Sequence, residues 1–100
     1  MIIQTHDKTS VTIILADSDF SLHFAEFQSS FAARVGLSKI RFRVYPGKAV
    51  IDIARALRER GEYVQTGSSG VINTCGERVH KYCELTIELL KGRIWNSQTN

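Results

Sequence analysis

At 100 residues, with 43% hydrophobic and 23% charged side chains, the chain has the size and composition of one globular domain, too short for two cores and too apolar for disorder. No apolar run approaches the roughly 20 residues of a membrane-spanning helix, and Met1-Ile2-Ile3-Gln4 lacks the basic region and long apolar stretch of a secretion signal, so the expectation is a soluble, cytoplasmic protein with no membrane partner. The formal net charge of +3 permits contact with nucleic acid without requiring it.

Residues 1–10 form a polar lead-in with room for a short extra strand. Val11-Thr12-Ile13-Ile14-Leu15-Ala16 is a nearly continuous apolar run rich in β-branched residues, the pattern of a strand buried on both faces. Asp17-Ser18-Asp19 supplies N-cap candidates for a helix. Phe20, Phe24, Phe27, Phe31 and Val35 then recur on one helical stripe, which predicts a core-facing helix stopped at Gly36. From Lys39 to Tyr45 the chain alternates strictly, with Ile40, Phe42 and Val44 on one side and Arg41, Arg43 and Tyr45 on the other. One wet face predicts an edge strand, ended by Pro46-Gly47.

Lys48 to Arg60 is the clearest helix, with Val50, Ile53, Ala54 and Leu57 as its apolar stripe and Gly61 as its stop. Glu62 to Thr66 predicts a third strand, Gly67-Ser68-Ser69-Gly70 a turn, and Val71 to Thr74 the opening of a third helix. Residues 77–95 fit two patterns. Val79, Cys83, Ile87, Leu90 and Ile94 share a helical face, whereas Cys83, Leu85, Ile87 and Leu89 alternate as in a strand. Residues 96–100 are a polar tail.

Strands and helices alternating through short connections predict an α/β fold of three layers. The expected sheet is mostly parallel, Rossmann- or flavodoxin-like, with order 2-1-3 and room for a fourth strand, and residues 11–95 form its single domain. In such a sheet a ligand sits beyond the carboxyl ends of the strands. The loops Ala16–Asp19, Tyr45–Lys48 and Thr66–Gly70 would meet there.

Asp17 and Asp19 read as helix caps or as contacts for a ligand hydroxyl or metal. Lys48 is a cation at a helix start, where a bound anion would relieve its opposition to the helix dipole. Gly67, Ser68, Ser69 and Gly70 offer backbone N–H groups and hydroxyls at the expected start of the third helix. Together these residues predict a site for a small carboxylate-type anion. Arg41, Arg43 and Lys48 are the candidates for an alternative, nucleic-acid surface. Cys75 and Cys83 lack metal-ligand spacing and His6, His23 and His80 are scattered, so no metal and no other cofactor is expected. No histidine falls in the three loops and the turn Gly-x-Ser-x-Gly is absent, so no enzyme is expected either.

Lys39-Ile40 through Gly47-Lys48-Ala49-Val50, the helix to Arg60, and Tyr63-Val64-Gln65-Thr66-Gly67-Ser68-Ser69-Gly70 resemble the N-terminal sensor domain of propionate-catabolism activators, regulators that work with the alternative sigma factor 54. The likeness covers roughly residues 11–80, the first lobe of that domain. It implies a sensor that binds a small carboxylate metabolite and relays its presence to transcription, with Gly67, Ser68, Ser69 and Gly70 against the ligand. Val44 to Ile94 also resembles the Alba family of small basic nucleic-acid-binding proteins, through Gly47-Lys48 and Thr86-Ile87-Glu88-Leu89-Leu90. That likeness implies a nucleic-acid contact at Gly47-Lys48 and two C-terminal strands, for which the chain is expected to have no room, and it leaves residues 1–38 unexplained. A third expectation is self-association through an exposed sheet edge.

Overall fold

The computed structural model of the protein describes residues 1–5, 8–72 and 78–89, with 69–72 and 78–81 described by their backbone alone. In chain order the elements are β1 (Ile2–Thr5), β2 (Ser10–Ala16), α1 (Leu22–Arg34), β3 (Lys39–Tyr45), α2 (Val50–Glu59), β4 (Tyr63–Ile72) and β5 (Arg78–Glu88). The five strands form one sheet of order β1-β2-β3-β5-β4. Among the described residues only β2 and β3 pair in parallel, through α1 as the crossover; β1–β2, β3–β5 and β5–β4 are antiparallel.

Register explains the single core. Ile13 stands beside Phe42, Phe42 beside Leu85, and Ile40 beside Ile87, so the odd positions of β2 and β5 and the even positions of β3 share one face. Val50, Ile53, Ala54 and Leu57 of α2 and Ala25 and Ala32 of α1 bury against that face. Phe42 is fully buried, with the rings of Phe20 and Phe24 at 5.3 and 6.0 Å. Ser21 caps α1 by accepting the backbone N–H of Phe24 at 3.0 Å. Both helices end as their glycines predict. The N–H groups of Gly36 and Leu37 donate to Ala33 and Ala32, and those of Gly61 and Glu62 to Arg58 and Leu57.

The expectation of a three-layer, mostly parallel sheet of order 2-1-3 is corrected. The sheet is mixed and mostly antiparallel, both helices lie on one face, and the other face carries no helix among the described residues. The lead-in supplies β1. The wet side of β3 reports that bare face, not an edge: β3 lies between β2 and β5. Gly67 to Gly70 are strand residues, paired with Glu84, Cys83, Tyr82 and Lys81, and Val71 and Ile72 continue the strand in place of the expected opening of a third helix; Asn73 and Thr74 lie outside the described residues. Of 77–95, the strand pattern describes β5; Leu90 to Ile94, the tail 96–100, Cys75 and His6 lie outside the described residues.

The phenylalanine stripe is also corrected. Phe20 and Phe24 reach the core, but Phe27, Phe31 and Val35 are 61%, 56% and 58% exposed. α1 turns its small side, Ala25, Ser29 and Ala32, to the sheet, which lets the helix approach the large strand residues closely.

The β3–β5 pairing ends at Val44 and Cys83, whereas β4 and β5 continue together to Ile72 and Arg78. The two strands therefore overhang the sheet as an antiparallel arm, and the molecule measures 56 × 28 × 20 Å.

Candidate nucleic-acid interface

The helix-free face is built from the even positions of β2 and β5 and the odd positions of β3 and β4. Cross-strand register sets out its rows: Gln4, Thr12, Arg41, Thr86 and Gln65 form one, and Ile2, Ile14, Arg43, Glu84 and Gly67 the next. Tyr45 and Tyr82 follow beyond Arg43 and Glu84, and Tyr63 lies at the opposite end, in register with Glu88 and Lys39. Strict period-2 alternation thus places all three tyrosines of the chain and the two arginines of β3 on this one face.

Its centre is a charged and aromatic cluster. Glu84 lies between two arginines, 3.4 Å from Arg41 Nε and 3.8 Å from Arg43 Nη2. Two cations against one carboxylate leave a positive surplus. The Arg43 guanidinium sits 4.7 Å from the centre of the Tyr82 ring, and that ring lies 5.1 Å from the ring of Tyr45 at a tilt of 51°. An arginine stacked on a tyrosine keeps donors available to an anion while its plane is held by the ring. Arg43 Nε is buried and has no hydrogen-bond partner in the protein.

Beside this cluster lies an open pocket of about 220 Å³ lined by Arg41, Gln65, Thr66, Gly67, Ser68, Glu84 and Thr86. Gly67 creates it. A Cβ at that position would meet nothing within 4 Å, so the missing side chain leaves a gap between Gln65 and Glu84.

Comparison with known protein families and with curated proteins finds no match for this chain.

The loops that the sequence brings together meet in part. Asp17 stands in a single 3-10 turn after β2, and its Oδ1 accepts the backbone N–H groups of Gly47 and Lys48 at 3.0 and 3.1 Å, with Oδ2 3.2 Å from Lys48 N. These two N–H groups lie in the turn ahead of α2 and already hold a carboxylate. Asp17 thus ties down the turn ahead of α2 from 31 residues away, while α2 itself has no side-chain cap. Asp19 is exposed in the same 3-10 turn. Lys48 is exposed at the entry to α2, apart from Arg41 and Arg43 on the bare face. Gly67 and Ser68 share the pocket with Arg41; Ser69 and Gly70 continue β4 along the arm.

Tyr45, Tyr82 and Glu84 were not among the candidates from sequence. The signal for Tyr45 lay in the alternation Arg41-Phe42-Arg43-Val44-Tyr45; for Tyr82 and Glu84 it depended on reading 78–88 as a strand and knowing that it pairs with β3.

Proposed function

We propose that the protein binds single-stranded nucleic acid on the helix-free face of its sheet. The observation that carries this reading is the Arg43–Tyr82–Tyr45 stack with Arg41 beside it. Unstacked bases lie on aromatic side chains and arginine planes, and phosphates pair with the cations between them. A sheet face with tyrosines at both ends and arginines in the middle offers both contacts over several nucleotides. The Alba-type resemblance implies two C-terminal strands and a nucleic-acid contact; in this reading the β4–β5 arm, with Arg78, His80 and Lys81 in its sequence, extends the bound surface.

Fluorescence anisotropy with a labelled single-stranded 20-mer and its duplex tests the reading. Neutralising two phosphates through Arg41 and Arg43 predicts that log K falls with log salt at a slope of about −1.4. Tyr82→Ala should weaken single-strand binding by about 1–3 kcal/mol. Binding that ignores salt and tolerates Tyr82→Ala would overturn the assignment of the face.

One observation favours a second reading. The pocket beside Arg41 gathers a cation, the hydroxyl of Thr86 and the amide of Gln65 in a space suited to a small carboxylate. In this reading the domain senses such a metabolite for transcription control, as the propionate-catabolism activators imply. A rise in Tm with one short carboxylate, abolished by Arg41→Gln, would favour it; the same Tm with every carboxylate tested would remove it.

A further inference from the structure

We propose that the pocket beside Arg41 takes a single guanine base. The proposal rests on the reading of this face as a single-strand surface and adds the base that it selects. The pocket, of about 220 Å³, is smaller than the roughly 300–1,000 Å³ of sites that enclose a whole small ligand, so one flat ring system suits it. Gly67 forms its floor. A Cβ there would meet nothing within 4 Å, so a ring can lie directly over the β4 backbone, the close approach that a strand glycine permits.

Register fixes what meets the edge of such a ring. Glu84 stands directly across from Gly67, and Thr86 and Gln65 form the adjoining row on the same face. The side chain of Glu84 is 25% exposed, so its carboxylate is held at the side of the pocket and partly shielded from water. Its contacts with Arg41 and Arg43, at 3.4 and 3.8 Å, are longer than the about 2.7–3.2 Å of a hydrogen bond. Both carboxylate oxygens therefore keep lone pairs for another donor.

An ionised carboxylate only accepts. Guanine alone among the standard bases sets two donors side by side on its Watson–Crick edge, N1–H and the N2 amino group, and this pair matches the two oxygens of Glu84. Its O6 is the next atom along that edge and falls toward Thr86 and Gln65, whose hydroxyl and amide can donate to it. Uracil offers one donor between two acceptors, and adenine and cytosine set a ring-nitrogen acceptor beside their amino group. Each of these aims an acceptor at Glu84, and a polar group left unpaired in such a site costs affinity. Arg41 and Arg43 stay with the phosphates. The Tyr82 ring, two residues before Glu84 on the same face of β5, takes the neighbouring base.

Fluorescence anisotropy of the full chain, at one salt concentration, compares a uridine 10-mer with the same 10-mer carrying one central guanosine, adenosine, cytidine or inosine. The guanosine oligomer should bind at least about 5-fold tighter than those with the other standard bases, the lower end of what a bidentate base contact discriminates. Inosine lacks the N2 amino group and should lose most of that preference. Glu84→Gln sets an amide donor against the base, and Gly67→Val fills the gap over β4. Each variant, its fold checked by circular dichroism, should bring the ratio of guanosine to uridine affinity close to one. Salt-dependent binding that is equal for every base would overturn the guanine site and leave the single-strand reading standing. No binding to any 10-mer would remove that reading and this inference with it. A guanosine preference that survives both variants would overturn the placement of the base in this pocket.

Discussion

Gly47 lies directly against Cys83: a Cβ on Gly47 would stand 2.6 Å from the Cβ of Cys83, and 3.0 Å from its backbone nitrogen and from the carbonyl oxygen of Val44. Gly47 also holds φ at +84°. It therefore fits the β3–α2 turn onto the sheet for two separate reasons, space and backbone conformation. Gly36 shares the second reason only, with φ at +90° and nothing within 4 Å. Gly36→Ala is expected to cost about 1 kcal/mol and Gly47→Ala about 2–4 kcal/mol, because only the latter adds a steric clash to the left-handed backbone. Urea unfolding of the two variants checks this; equal losses would mean that the contact with Cys83 relaxes freely.

The carboxylate of Asp17 ties the end of β2 to the start of α2 through two backbone N–H groups. Asp17→Ala removes a charged acceptor and leaves Gly47 N–H, which is partly buried, unpaired. A loss of about 1.5–3 kcal/mol is expected in denaturant unfolding. Asp17→Asn retains one acceptor and should lose less. An alanine variant as stable as the original would show that water replaces the carboxylate at no cost.

Phe42 is the residue on which α1 and the sheet close, fully buried between the rings of Phe20 and Phe24. Phe42→Ala should cost about 3–5 kcal/mol. By contrast, the exposed Arg60–Glu26 pair between the two helices should be worth less than about 1 kcal/mol, and less again at high salt. Thermal unfolding of Phe42→Ala and Arg60→Ala in parallel would separate the two; comparable losses would contradict the placement of the core.

Gly67 leaves the pocket open beside Arg41, on a strand edge where a side chain has space. Gly67→Val should leave stability unchanged or raise it by up to about 1 kcal/mol, since a β-branched residue replaces glycine in a strand. The same variant narrows the pocket, so a carboxylate that binds there should lose affinity. A marked loss of stability would show that β4 needs glycine for its backbone.

Much of the fold was legible because its elements carry their own periods. β2, β3 and α2 follow directly from apolar alternation and helical spacing, and Gly36 and Gly61 mark the helix ends. What misled was composition without partners. Glycine and serine at 67–70 signal a turn in isolation, but pairing with Glu84, Cys83, Tyr82 and Lys81 holds them in a strand. The alternation of β3 reports one covered and one bare face, and a bare face occurs in the middle of a two-layer sheet as readily as at an edge. Four phenylalanines on one stripe suggest a core, yet only Phe20 and Phe24 reach it, and α1 turns Ala25, Ser29 and Ala32 to the sheet. For the site, Arg41 and Arg43 were visible in the alternation. Tyr82 and Glu84 became their neighbours only through the β3–β5 pairing, which joins residues some forty positions apart and leaves no local trace.

The most direct test of the central claim is a titration of isotope-labelled protein with a single-stranded RNA 10-mer, followed by the backbone amide spectrum. The account predicts that the largest shifts map to Arg41, Arg43, Tyr45, Gln65, Tyr82 and Glu84, and that α1 and α2 stay unchanged. Shifts confined to the helices, or none at millimolar RNA, would contradict it.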